Sequence, residues 1–205
     1  MNISEKGKKR YEIIMQTGLE LFLEKGYEHT SLSDIVAKGG GSLASVYKYF
    51  TNKEGLFAAI MEKNFDDFCK EFDENVNLKP SKSLEEILYR FGLLYFDIFC
   101  KPYSIALSRL IISECYKNKE LGERFNVNII KRTCGILTKY FSRDDVAPHI
   151  KEYDYEELAL KFCALIREPY HLSGVILGED INLSETQKEK MIQSVVDLFL
   201  HGIYK

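Results

Sequence analysis

The chain has 205 residues, 45% of them hydrophobic and 29% charged, with no tryptophan and a formal net charge of −3. That length and apolar content suffice for a packed core and exclude a disordered chain; the mild acidity argues against a protein that coats nucleic acid nonspecifically. The charge is uneven, because residues 1–53 hold eight Lys/Arg against six Asp/Glu while the remainder is acidic. Cys69, Cys100, Cys115, Cys134 and Cys163 are odd in number and form no CxxC pair, which reads as reduced thiols. With no secretion signal at its start and no run of about 18 apolar residues, the chain is expected in the cytoplasm.

Apolar residues recur with a period near 3.6 throughout, and no Asn-Gly or Asp-Gly hairpin turn occurs, so an all-α fold is predicted. A first helix spans about Glu5 to Lys25, with Ile13, Ile14, Leu19, Leu21, Phe22 and Leu23 on its apolar face and Gly26 ending it. A short helix, capped by Thr30 or Ser31, turns Leu32, Ile35 and Val36 inward and stops at Gly39-Gly40-Gly41. Ser42 opens a second short helix through Val46 to Tyr49, and Lys53-Glu54 starts a long one that reaches about Asn75. Further helices are predicted near 83–100, 104–117, 121–142, 154–177 and 184–204, nine in all. Pro80, Pro102 and Pro148 fall at boundaries, while Pro169 lies inside a helix. The one domain boundary is the entry to the long fourth helix, giving residues 1–52 and 53–205 with no flexible linker between them.

Two short helices joined by a glycine turn form a helix-turn-helix unit, whose second helix lies in the DNA major groove. Ser42, Leu43, Ala44, Ser45 and Lys48 are the small or polar positions facing the groove, with Ser45, Lys48 and Ser42 discriminating bases. Val46 and Phe50 point into the core. Tyr47, Tyr49 and Lys53 are placed for phosphate, and Thr30 and Ser31 join the DNA-binding set at the start of the first short helix. The stretch Thr30-Ser31-Leu32-Ser33-Asp34-Ile35-Val36-Ala37, then Gly40, Ser42 and Val46-Tyr47-Lys48-Tyr49-Phe50-Thr51-Asn52-Lys53-Glu54-Gly55-Leu56, resembles the signature of TetR-family repressors. Upstream, Gly18-Leu19, Leu21-Phe22 and Lys25-Gly26-Tyr27 match as well. The resemblance implies a nine-helix fold with a three-helix head, a homodimer made by the last two helices, and repression relieved by a small molecule. Gly41 departs from it, standing where the family carries a branched apolar residue; backbone entropy there predicts a reading helix poorly ordered without DNA.

Aromatic residues are dense after the head, and Phe65, Phe68, Phe91, Tyr95, Phe99, Phe162 and Tyr170, with Cys69, Cys163 and Ile166, are the candidate lining of an effector cavity. Stripes at helical spacing also serve as plain core. The segments Phe91-Gly92-Leu93 with Ile98-Phe99, and Phe162-Cys163 with Glu168-Pro169-Tyr170-His171, resemble multidrug-efflux repressors within the family. That resemblance implies a hydrophobic tunnel with a basic end for bulky amphipathic compounds such as bile acids, and efflux genes as targets. Arg167 and His171, four apart on one helical face, are assigned to the basic end, with Arg167 pairing with Glu168 as the alternative. Met191, Val195, Leu198, Phe199, Leu200 and Ile203 give the last helix a face wide enough for a two-fold contact. His29, His149, His171 and His201 lie far apart, with no HExxH, no CxxC and no glycine loop after a strand. No catalytic residue, metal or cofactor is therefore expected. The partners expected are operator DNA, a hydrophobic or amphipathic effector and a second copy, with no membrane; an activator on the same scaffold stays open.

Overall fold

The computed structural model describes residues 4–75, 83–117, 119–120, 123, 132–151 and 153–203. The elements among them are α1 (Glu5–Lys25), α2 (Leu32–Gly39), α3 (Leu43–Phe50), α4 (Lys53–Asn75), α5 (Leu84–Phe99), α6 (Pro102–Cys115), α7 (Arg132–Phe141), α8 (Tyr155–Leu177) and α9 (Glu185–Ile203), with a 3-10 turn at Ala147–His149. Among the described residues the all-α expectation and the nine helices hold. The helix predicted at 121–142 is described from Arg132 to Phe141, its earlier part lying largely outside the described residues.

Side-chain caps set the starts of the helices. Ser4, Ser31, Ser42, Ser83 and Asp154 each accept a hydrogen bond from the backbone amide three residues on, pairing a donor that the first turn leaves unmatched. Pro102 opens α6, where its missing N–H is no loss. Pro169 sits inside α8 as expected and offers no N–H to the Leu165 carbonyl one turn earlier.

The chain divides into two compact units, and α4 and α6 contribute residues to each. The first comprises Met1–Asp67 and Leu110–Gly122. Here α1 packs on α2 and α2 on α3, around Ile14, Phe22, Ile35, Val46, Phe50, Leu56, Phe57 and Ile60. The second comprises Phe68–Arg109 and Glu123–Lys205. In it α5 packs on α8 and α9, and α8 also packs on α7 and α9. Its core holds Leu88, Phe91, Tyr95, Leu137, Phe141, Phe162, Ile166, Ile192, Val196 and Phe199. At one edge the ammonium of Lys188 on α9 is held between Asp97 of α5 and Glu185, at 2.8 Å from each. No helix among the described residues is long and apolar enough to cross a membrane.

Candidate nucleic-acid interface and effector residues

Within the first unit, α2 and α3 are separated by Gly40 and Gly41, both at positive φ (+73° and +99°). Two consecutive residues in that region are costly for any side chain with a Cβ, so the corner calls for glycine at both positions. Ser31 starts α2 with a reciprocal capping box: Asp34 N–H donates to Ser31 Oγ, and Ser31 N–H donates to Asp34 Oδ2 at 2.8 Å. The hydrogen bond from the Ser31 hydroxyl and then that from the Ser31 N–H hold the exposed Asp34 carboxyl below the usual carboxylate range.

On α3, Val46 and Phe50 are buried at 0% and 4% exposure and form the floor. Ser42, Leu43, Ala44, Tyr47 and Lys48 project outward, and Ser45 is half-buried. Ser42 caps the helix by accepting from Ser45 N–H at 3.3 Å, and the two hydroxyls share a bond of 3.1 Å. Tyr49 is half-buried, its ring edge-on to Tyr11 of α1 at 5.8 Å.

Two members of the expected DNA-facing set are occupied inside the unit instead. Thr30 is 1% exposed, and its hydroxyl is directed at the carbonyls of Leu21 and Gly26, at 3.1 and 2.9 Å. Lys53 donates to the Tyr27 and Thr30 carbonyls at 2.8 and 3.0 Å, with its ammonium 4.2 Å from the centre of the Tyr27 ring. Both side chains brace the turn between α1 and α2. The reason is the turn itself: the carbonyls of Gly26, Tyr27 and Thr30 lie between α1 and α2, outside the helical ladders, and these donors take them.

Of the candidate effector residues, Phe65 is buried in the first unit, while the side chains of Phe68 and Cys69 lie outside the described residues. Phe91, Tyr95, Phe162, Cys163 and Ile166 are brought together in the second unit's core. Phe91 stacks on Tyr95, Tyr95 lies against Phe99 with ring centres 4.3 Å apart, and Tyr170 meets Phe96 edge-on. Burial pushes the Tyr95 hydroxyl and the Cys163 thiol well up. Burial also pushes Cys100 up to about 12.

Arg167 and His171 stand one turn apart on α8. Arg167 donates to Glu168 through Nε at 2.9 Å, which is the alternative the sequence left open, and its guanidinium faces Phe99 at 5.9 Å. His171 Nε2 shares a hydrogen bond of 3.1 Å with Ser108 Oγ of α6. Burial, and then the Arg167 cation, hold its imidazole below the ordinary 6.5. Ser108 was not legible from sequence, since nothing in α6 marks which hydroxyl meets α8.

Residues 14–60 match the family model of bacterial regulatory proteins, tetR family, and residues 86–204 match that of the AefR-like transcriptional repressor, C-terminal domain. The chain belongs to the TetR family of transcriptional regulators, DNA-binding proteins rather than enzymes. Its second half is of the AefR-like repressor kind. It is 36% identical over 74 residues to the HTH-type transcriptional repressor ComR of Escherichia coli, spanning 36% of this chain and about a third (35%) of ComR. With the fatty acid metabolism regulator protein of Bacillus subtilis it shares 24% identity over 144 residues, covering 70% of this chain and 72% of that one. Among solved structures, the flavonoid-responsive regulator FrrA superposes with a TM-score of 0.79 at 27% identity, over 96% of this chain and 98% of FrrA. A TetR-family regulator from Mesorhizobium loti superposes with a TM-score of 0.87 at 20% identity, over 98% and 100% of the two chains, and so shares the fold.

Proposed function

We propose that the chain is an operator-binding transcriptional repressor released by an amphipathic effector with an apolar body and an anionic end. The observation that carries the reading is the construction of α3 in a TetR-family chain. Val46 and Phe50 anchor it, and Ser42, Leu43, Ala44, Tyr47 and Lys48 face outward behind a fixed corner. Residues 1–52 are the DNA-binding part and residues 53–205 the effector-binding and dimerising part. Ser42, Leu43, Ala44, Ser45 and Lys48 meet base edges, while Ser31, Tyr47 and Tyr49 reach phosphates.

The effector part uses the Phe91, Tyr95, Phe99, Phe162 and Tyr170 rings with Cys163 and Ile166, and turns Arg167 and His171 toward the anion. Glu168 and Ser108 are the hydrogen-bond partners that an incoming carboxylate displaces. Similarity to a fatty acid metabolism regulator and to a flavonoid-responsive regulator supports this ligand class. It also ranks genes of fatty-acid or aromatic-compound handling ahead of efflux genes as targets.

The repressor acts in the cytoplasm as a homodimer through α8 and α9. Leu165, Leu172 and Ile176 recur along one face of α8, and Leu198 projects from α9, with exposures of 38%, 51%, 65% and 64%. An apolar stripe of that kind is what a self-complementary interface covers, and a two-fold dimer supplies two copies of α3 for successive major-groove half-sites. The effector acts only so far as it binds two conformations unequally.

Fluorescence anisotropy of labelled duplex from upstream of the chain's own coding sequence tests this, with a scrambled duplex as control and oleate, a flavonoid or a bile acid added. Saturable binding by two chains per site, salt-sensitive and weakened by one of the three, is expected. Equal affinity for scrambled duplex overturns the repressor reading, one chain per site overturns the dimer, and indifference to all three compounds overturns the ligand class.

A further inference from the structure

The corner between α2 and α3 fixes the direction in which the reading helix leaves α2, yet Gly40 and Gly41 supply no side chain to hold it. Arg10 of α1 does. Its Nη1 donates to the Gly39 carbonyl at 3.1 Å, across 29 residues of sequence. That carbonyl belongs to the last residue of α2, where unpaired carbonyls and the helix dipole both favour a cation. The same guanidinium lies over the glycines: a Cβ on Gly40 would come within 3.5 Å of Nη1, and one on Gly41 within 3.4 Å of Nη1 and Cδ.

Further along α1, Thr17 occupies the space a side chain at residue 39 would need, its Oγ1 2.7 Å from an ideal Cβ there. Tyr11, next to Arg10, stacks on Phe50 at 4.7 Å between ring centres and meets Tyr49 at 5.8 Å. Consecutive residues of α1 thus hold both ends of α3, Arg10 at the corner before it and Tyr11 at its last turn. We propose that Arg10 is the positioning residue of the reading helix, holding the Gly39–Gly41 corner so that α3 is presented in one orientation before DNA arrives. The inference rests on α3 being the DNA-reading helix.

The test compares wild type, Arg10→Met and Arg10→Lys by amide hydrogen exchange without DNA, and by anisotropy on the upstream duplex across a range of salt. Arg10→Met is expected to speed exchange of amides 40–46 roughly tenfold, as loss of one charge-assisted hydrogen bond implies. It should also weaken duplex binding while leaving its salt dependence unchanged. Arg10→Lys, which keeps one donor, should recover part of both effects. Unchanged exchange in Arg10→Met overturns the proposal. A salt slope lowered by about one with exchange unchanged makes Arg10 a phosphate contact instead. Because exchange is read without DNA, it decides the role of Arg10 even if the wild type shows no preference for the duplex, which would count against the reading function alone. A circular-dichroism melt of each variant shows whether a global loss of fold produces the faster exchange, an outcome that also overturns the positioning role.

Discussion

The ammonium of Lys53 is surrounded by the carbonyls of Tyr27 and Thr30 and by the Tyr27 ring, whereas Lys48, five residues earlier, stands exposed on α3. One cation is bonded into the fold and the other is open to a phosphate or a base. Lys53→Met should lower stability by about 1–2 kcal/mol, from lost charge-assisted hydrogen bonds and the cation–π contact, and leave the salt dependence of DNA binding unchanged. Lys48→Met should do the reverse, with an unchanged melt and a salt slope smaller by about one. Thermal melts and salt-titrated anisotropy on the two variants separate the roles, and a reduced slope in Lys53→Met would refute the assignment. Sequence pattern placed both lysines beside the reading helix, and it placed Val46 and Phe50 in the core. It did not distinguish an exposed lysine from one bonded to carbonyls, because the partners of Lys53 lie 23 and 26 residues away in a turn with no side-chain signature.

Among the helices, the close approach of α5 to α9 and α8 turns on Gly92. An ideal Cβ there would lie 2.9 Å from Ile192 Cγ2 and 3.2 Å from Ile166 Cδ1, both in side chains at 0% exposure. Gly92→Ala gains helix propensity but forces two packed isoleucines to shift, and overpacking of this kind costs about 1–3 kcal/mol. A melting temperature lower than wild type by several degrees is expected, and a rise would mean that the contact relaxes freely. The helices themselves were legible because their signals are local: serine and aspartate caps open α1, α2, α3, α5 and α8, glycines close α1, α2 and α8, and a 3.6-residue apolar stripe runs along them. Which helix meets which is a long-range property. Gly92 reads in sequence as one permissive residue in an apolar run, and aromatic stripes such as the one around it are more often core than cavity lining, with no local signal to tell which. The family signature in α1–α4 was legible for the same local reason, whereas the Arg10 contact with Gly39 joins two elements whose pairing no spacing rule encodes.

Unfolding as a function of pH is a property of the whole chain, and His171 gives it a testable slope. In the folded protein, burial and then Arg167 hold its imidazole below 6.5, with Glu168 opposing them and Ser108 as hydrogen-bond partner. Above 6.5 the group is neutral in both states and contributes nothing to the pH dependence. As pH falls through 6.5 the unfolded chain takes up a proton that the folded protein does not, so stability is lost until the folded value is reached. The carboxyls of Asp34 and Asp145, lowered by hydrogen bonds from Ser31 and Arg143, lose their contributions only as pH falls below their ordinary 3.8. The interval from about pH 7 to 5 therefore contains the His171 effect and excludes theirs. His171→Gln, which retains a hydrogen-bonding group near Ser108 and cannot titrate, should flatten the decline in denaturant midpoint across that interval. A decline as steep as in wild type would show that His171 is not held neutral by the fold. The same measurement with oleate bound reads the proposed basic end: a carboxylate placed against Arg167 offsets the repulsion that adds to burial in lowering the imidazole, so the acid-side loss should shrink in part in wild type and stay unchanged in His171→Gln.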